Sequence, residues 1–432
     1  MIKYTKKILD NDMCIVMAPR ENTRIISVGF FINAGSRNET DENNGVAHFL
    51  EHMMFKGTKN RNAEKLLDEL DTMGSQYNAA TTMQFTYYYA YSNSDDMKKL
   101  LDIMLDIYLN TIFDNNELNK ERKVIVEEKR MREDYPFAKL YTKMHQQMFK
   151  GTSLAREIIG NDATIDSLKK KDLEKFRNAM YIPRNTVFVI CGNFSPAPVF
   201  NILKKILNPL PNKPIADTMK YDYEKSIILK RMQSQSAPYI YVKKSSSFQQ
   251  TYVILSFPMY DLYDSKDSEI DLLTQLLSSG FSSRLSKALR ENEGITYASA
   301  AYPIVYSDCG LFLIQMTISP TELVKGIKIV LKELKKLKEE PMTKEEMIKI
   351  VKTTENESIY ALEKPNEILM YLGLTFAADR NADPDVEKEL RDLKNTKRTD
   401  IQKVAQQIFI KTKLNLFIYG NISQTDYSFI DF

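Results

Sequence analysis

The sequence predicts an α+β fold built as two similar domains. Three observations carry this expectation. An order of strand, helix, strand pair, helices and closing strand occurs twice, at a spacing of about 220 residues. The apolar segment VFVICGNF in the first half has a counterpart, NLFIYGNI, near the end. LNPLPNKPIADTM, residues 207–219, holds three prolines and reads as a linker. The expected domains are therefore 1–206 and 220–432 of a 432-residue chain.

Each element has a local reason. CIVMAP and IISVGFFINAGS are rich in β-branched and aromatic residues and read as two early strands. DENNGVAHFLEHMMF and NAEKLLDELDTMG space their apolar residues by three and four, so two helices follow, the second stopping at Gly74. SQYNAATTMQFTYYYAYS reads as paired strands, and helical patterns cover 95–112 and 114–134. In the second half QTYVILSFPMY reads as a strand and EIDLLTQLLSSGFSSRLSKALRE as a long helical region. ITYASAAYP and GLFLIQMTIS read as a further strand pair, followed by helices. The charge run KELKKLKEE reads as a solvated helix face.

Composition excludes several classes. Sixty Lys+Arg against fifty-seven Asp+Glu leave a net charge of +3, which argues against nucleic acid as an obligate partner. Cys14, Cys191 and Cys309 are odd in number and far apart, so neither a disulfide framework nor a CxxC metal site is expected. No apolar run approaches the roughly 18 residues of a membrane span. The first residues carry Asp10 and Asp12 and lack a long apolar core, unlike a signal or transit peptide. A cytoplasmic or other intracellular soluble compartment is the expectation.

The chemistry centres on His48, Glu51 and His52. Offsets of three and four bring these side chains to one face of a helix. Two imidazoles at this spacing suit Zn²⁺, and a neighbouring carboxylate that does not bind the metal suits proton transfer. H-x-x-E-H is the inverted form of a zinc-protease helix motif. The alternative is two surface or capping histidines. Phe49, Leu50, Met53, Met54 and Phe55 weigh against it, because a buried helix must pair its polar groups. A catalytic zinc needs a third protein ligand. His145 reads as an ordinary polar or packing residue. In ELNKERKVIVEEKRMRED, Leu118, Val124, Ile125 and Met131 define an apolar stripe that includes Glu121 and Glu128, while Glu127 points to solvent. Glu121 and Glu128 either face the metal helix or form ordinary salt bridges.

GSRNE, five residues and GVAHFLEHMMFKGT resemble the signature of the pitrilysin-type (M16) zinc metallopeptidases. The resemblance continues through YNAATTMQFTYYYA, ERKVIVEE and SSRLSKALRENEGITYA, so it covers both halves. It is greatest to the short two-domain branch with the mitochondrial processing peptidase β subunit and bacterial processing-type peptidases. It implies two α/β-sandwich domains of the LuxS/MPP-like type, forming one half-shell of a clamshell. It implies one zinc per chain held by His48, His52 and Glu128, with Glu51 as general base and Glu121 beside the ligands. The second domain, without a zinc motif, would contribute Arg290 and Tyr297 to orient substrate and stabilise the oxyanion. Without the family these two read as a helix-terminal Arg and a core strand Tyr. Asn78, Ala79 and Ala80 would lie on an edge strand that takes the substrate as an added strand; an interior strand is the alternative.

The implied activity is endopeptidase cleavage of peptides or unfolded segments inside a chamber. Since one chain supplies half a chamber, a homodimer or a heterodimer with an M16-like subunit is implied. A non-catalytic peptide-binding or structural subunit is the competing expectation. LDNDM departs from the family's turn glycine, and Asp12 is expected in an Asx-type turn there. LLSSGFSSRL lacks the long glycine-rich loop of the processing peptidase's non-catalytic partner, so a catalytic subunit is the closer likeness.

Overall fold

The computed structural model describes residues 2–214, 224–423 and 426–432, so residues 215–219 of the expected linker lie outside it. The first half holds β1 (Thr5–Ile8), β2 (Cys14–Pro19), β3 (Ile25–Ile32), α1 (Val46–Met54), α2 (Ala63–Thr72), β4 (Gln76–Thr81) and β5 (Thr86–Asn93). It continues with α3 (Met97–Asn110), α4 (Asn115–Asp134), α5 (Pro136–Met148), α6 (Asp162–Ser167), α7 (Lys170–Met180), β6 (Thr186–Gly192) and α8 (Pro196–Leu207). The second half holds α9 (Glu224–Ser234), β7 (Tyr239–Lys244), β8 (Thr251–Met259), α10 (Asp267–Ser278), β9 (Thr296–Val305) and β10 (Gly310–Ile318). Then come α11 (Leu323–Glu339), α12 (Lys344–Leu362), α13 (Pro365–Ala378), α14 (Val386–Asn395), α15 (Arg398–Ile408) and β11 (Asn415–Gly420).

The chain divides into two compact units. The first comprises Met1–Arg132, Phe149–Tyr221 and Tyr360–Val386. Its sheet runs β1-β2-β6-β3-β5-β4, with only β2 and β6 parallel. Alternation along β3 sets two cores. Val28, Phe30 and Ile32 join the apolar faces of α1, α2, α3, α7 and α8. Phe31 points the other way, with Val187, Val189 and Cys191, against Ile368, Leu369, Leu372 and Phe376 of α13.

The second unit comprises Glu133–Met148, Asp222–Ile359 and Glu387–Phe432. Its sheet runs β7-β11-β8-β10-β9, with only β7 and β11 parallel. Val253, Leu255 and Phe257 of β8 pack on α10, α11 and α15. On α5, Phe137 meets Tyr252 edge-on at 5.2 Å, and Lys139 and Lys143 lie 5.8 and 5.2 Å over the rings of Tyr419 and Tyr241.

Without β1, the two sheet orders match strand for strand, β2 with β7 and β4 with β9. The repeated closing motif has a backbone cause. Gly192 and Gly420 end β6 and β11 with φ of +130° and +154°. A Cβ would lie 2.1 Å from the carbonyl oxygen of Ile25 at Gly192, and 2.7 Å from that of Gln250 at Gly420. Both units thus demand glycine where the last strand passes the start of its neighbour.

Two helices follow a different logic from a cut at 207–219. α5 precedes that segment but belongs to the second unit, and α13 follows it but belongs to the first. The β1–β2 turn also differs in detail from the expectation. Asn11, not Asp12, closes the Asx turn, its side-chain oxygen accepting from Met13 N at 3.2 Å. Asp12 takes the left-handed conformation at φ +68°, and its carboxylate accepts from Arg184 and Asn212. The KELKKLKEE run lies in α11 with Leu331, Leu334 and Leu337 buried and Lys332, Lys335 and Lys336 exposed.

Candidate metal centre

α1 begins where its sequence provides a turn rather than a side-chain cap. Gly45 occupies the N-cap at φ +96°, and the first turn has no acidic residue. Glu39 serves that end from outside. Its carboxylate accepts from Gly45 N at 2.9 Å, Ala47 N at 2.8 Å and Asn44 Nδ2 at 2.8 Å. Burial pushes its pKa up to about 7, against the pull of those hydrogen bonds. Val46, Ala47, Phe49, Leu50, Met53 and Met54 are all buried, which seats the helix firmly and fixes where its polar residues point.

Those residues converge with α4. Glu128 Oε2 lies 3.5 Å from His48 Nε2 and 3.4 Å from His52 Nε2. Among the described residues, His48, His52 and Glu128 are the one group of three such side chains whose ligand atoms all lie within 4.8 Å. Zinc bonds of roughly 2.0–2.2 Å in a tetrahedron require ligand atoms roughly 3.3–3.5 Å apart, which these separations match. Burial and then the neighbouring His52 push His48 down to about 4, so its imidazole is neutral with a lone pair to offer. Burial acts against charge on His52 too, but hydrogen bonds to Glu121 and Glu128 outweigh it and raise the pKa to about 9. The pocket therefore favours positive charge beside neutral imidazole, which is the chemistry of a dication site.

Glu121 Oε1 lies 2.8 Å from His52 Nδ1, and its other oxygen pairs with Lys56 Nζ at 2.7 Å. This fixes the ring of His52 and leaves Nε2 toward Glu128. Burial opposes ionisation of Glu121, but the bonds from His52 and Lys56 prevail and lower its pKa. Glu51 stands apart from the cluster of ligand atoms. Its Oε2 accepts from Thr81 Oγ1 at 2.8 Å, and burial raises its pKa.

The structure brings Glu121 and Glu128 to α1 and leaves Glu127 outside, 68% exposed and paired with Arg130. The stripe drawn from sequence needs correction. Leu118, Glu121 and Ile125 are buried, whereas Val124 and Met131 are 50% and 68% exposed. The buried face is rotated from the apolar stripe toward the carboxylates. β4, with Asn78, Ala79 and Ala80, is the edge strand of its sheet, not an interior one. In the second unit Arg290 Cζ lies 5.4 Å over the ring of Tyr297 and 4.7 Å over Phe281. Tyr297 is 85% exposed, so it is no core residue. His145 is half-buried in that unit, with Nε2 2.9 Å from Tyr306 Oη.

Lys56, Glu39 and Thr81 were not assigned roles from sequence. Lys56 lies four residues past His52, in the bend just beyond the end of α1. No spacing rule reports Glu39 or Thr81, because loop and strand geometry deliver them.

Residues 15–162 match the model of insulinase (peptidase family M16), and residues 167–354 match that of the peptidase M16 inactive domain. An uncharacterized zinc protease of Rickettsia felis is 30% identical over 399 residues, 92% of each chain. The uncharacterized zinc protease YmxG of Bacillus subtilis is 26% identical over 82% of this chain and 84% of its own. The mitochondrial-processing peptidase subunit beta of Saccharomyces cerevisiae is 36% identical over 40% of this chain and 37% of its own. The crystal structure of a protease from Helicobacter pylori superposes with a TM-score of 0.86, at 24% identity, over 97% of this chain and 100% of that one. That likeness confirms the fold of two mixed α/β units, and the sequence matches span both halves. With near-full-length similarity to a zinc protease at this identity, the chain belongs to the M16 family of peptidases.

Proposed function

We propose that the protein is a zinc-dependent endopeptidase acting on peptides or unfolded segments. The supporting observation is the cluster of His48, His52 and Glu128 with Glu51 at its side. The three ligands would hold one zinc ion, which when bound supplies Lewis acidity to the scissile carbonyl and to water. Glu51 takes a proton from the attacking water and returns it to the leaving amine. Glu121 holds His52 in one tautomer and orientation, and Lys56 holds Glu121. The free edge of β4 at Asn78, Ala79 and Ala80 pairs with an extended peptide through backbone hydrogen bonds, which tolerates many sequences. Arg290 and Tyr297 orient substrate and stabilise the oxyanion. The working form is a homodimer or a heterodimer with an M16-like subunit, enclosing substrate in a chamber between two half-shells, in an intracellular soluble compartment. Residues 207–219 link the part of the chain that carries the zinc ligands to the part that carries Arg290 and Tyr297.

Zinc stoichiometry and peptide-library cleavage test this reading against a non-catalytic subunit. Glu51→Gln should keep its zinc while turnover falls by about 10²–10⁴. Cleavage at the wild-type rate by that variant would remove Glu51 as the base. A wild-type protein that binds zinc and cleaves nothing would favour the non-catalytic subunit.

A further inference from the structure

A general base needs a fixed direction as well as a suitable pKa. A glutamate on a helix reaches its target through three flexible torsions, and the last is broad. Glu51 Oε2 accepts a hydrogen bond from Thr81 Oγ1 at 2.8 Å. Thr81 is itself held on several sides. It is the last residue of β4, paired with Thr86 of β5. The turn beyond it is closed by Thr82 N donating to Phe85 O at 2.7 Å. Thr82 offers no substitute, because its hydroxyl donates to Phe85 O and accepts from Phe85 N within that turn. Thr81 is β-branched and stiff at χ1, so an anchored backbone gives an anchored hydroxyl.

We propose that Thr81 is the positioning residue for Glu51. Its hydroxyl, beside the Thr81 backbone N–H that also reaches the Glu51 carboxylate, fixes one carboxylate oxygen and aims the other at the attacking water. The proposal rests on the reading of Glu51 as general base and adds a coupling to it. β4 is the edge strand offered to substrate, and its terminal residue holds the base. A peptide paired along β4 and the group that activates its water are thereby referenced to one rigid strand.

Thr81→Val keeps the shape and removes the hydroxyl; Thr81→Ser keeps the hydroxyl. A hydrogen bond to a charged group corresponds to roughly a tenfold to hundredfold effect. Thr81→Val should lose about that factor in kcat, with KM within about threefold of wild type and zinc content unchanged. Thr81→Ser should recover kcat to within about threefold. A crystal structure of Thr81→Val should show the Glu51 carboxylate turned away from its wild-type position. Full kcat in Thr81→Val would overturn the proposal. So would equal losses in the Val and Ser variants, or loss of zinc in Thr81→Val, since either marks a merely structural role. Failure of the underlying reading shows elsewhere: Glu51→Gln would then cleave like wild type.

Discussion

Glu39 is where a single substitution should reach the metal site from a distance. Its carboxylate accepts from two backbone N–H groups at the start of α1 and from the Asn44 amide, and it is only 5% exposed. No other side chain caps this helix, because the N-cap is Gly45. Glu39→Ala removes all three acceptor contacts and leaves the Gly45 and Ala47 N–H groups without partners, while the Asn44 amide keeps its bond to Glu157 O. Each unsatisfied buried donor costs about 1–3 kcal/mol, and a lost N-cap alone costs about 1 kcal/mol. Partial relaxation and water entry reduce the sum, so about 3–5 kcal/mol is expected. That is a large share of the roughly 5–15 kcal/mol that stabilises a typical protein. Glu39→Gln keeps one acceptor oxygen and should cost less, about 1–2 kcal/mol. Urea unfolding followed by circular dichroism in a chelator reads this cost without any metal contribution. His48 lies in the first turn of α1, so zinc affinity, measured by competition with a chromogenic chelator, should also fall by about tenfold or more in Glu39→Ala. An unchanged first transition together with unchanged zinc affinity would refute the capping argument.

Glu128→Gln should weaken zinc binding markedly, whereas Glu127→Gln should leave it within about twofold, because Glu127 faces solvent and pairs with Arg130; competition titration reads both. His145 is pushed down from 6.5 to about 4 by burial, so the fold disfavours its charged form. The linked stability is full above pH 6.5 and lost as pH falls toward 4, on the order of 2–3 kcal/mol in all, and His145→Gln should flatten that fall in chelator-treated protein. Gly420→Ala forces a Cβ to 2.7 Å from the Gln250 carbonyl oxygen and should cost about 2–4 kcal/mol. Gly74→Ala, with φ +60° and nothing within 4 Å, should cost only about 1 kcal/mol; thermal melts compare the two.

The legible parts of this fold are those in which local chemistry and tertiary environment agree. The strand pairs are legible because aromatic and β-branched residues are concentrated in β5, β9 and β10 beside clear turns. α1 came through because its apolar positions are also its buried positions. The exchanged helices did not. α13 is apolar along most of its length, PNEILMYLGLTFAA, and so announces burial without naming the sheet that buries it. Its Gly373 shows what decided the matter: a Cβ there would meet the Phe31 ring at 2.3 Å, a fit defined by a residue far away in sequence. β7 is harder to read from sequence because YIYVKK is short and ends in two lysines, as edge strands do.

The metal centre shows the same division at the level of single side chains. His48, Glu51 and His52 share one helix, so spacing alone was enough to bring them together. Glu121 and Glu128 required a second helix at the right rotation, and apolar residues gave that rotation imperfectly. Val124 and Met131 are apolar yet exposed, while Glu121 is charged yet buried. α4 is turned by what it must meet rather than by its own hydrophobicity: Glu121 by the His52 imidazole and the Lys56 ammonium, Glu128 by both imidazoles. A periodicity rule scores hydrophobic burial only. It misses a carboxylate withdrawn from water by oppositely charged or hydrogen-bonding partners, and around a metal site those partners set the geometry.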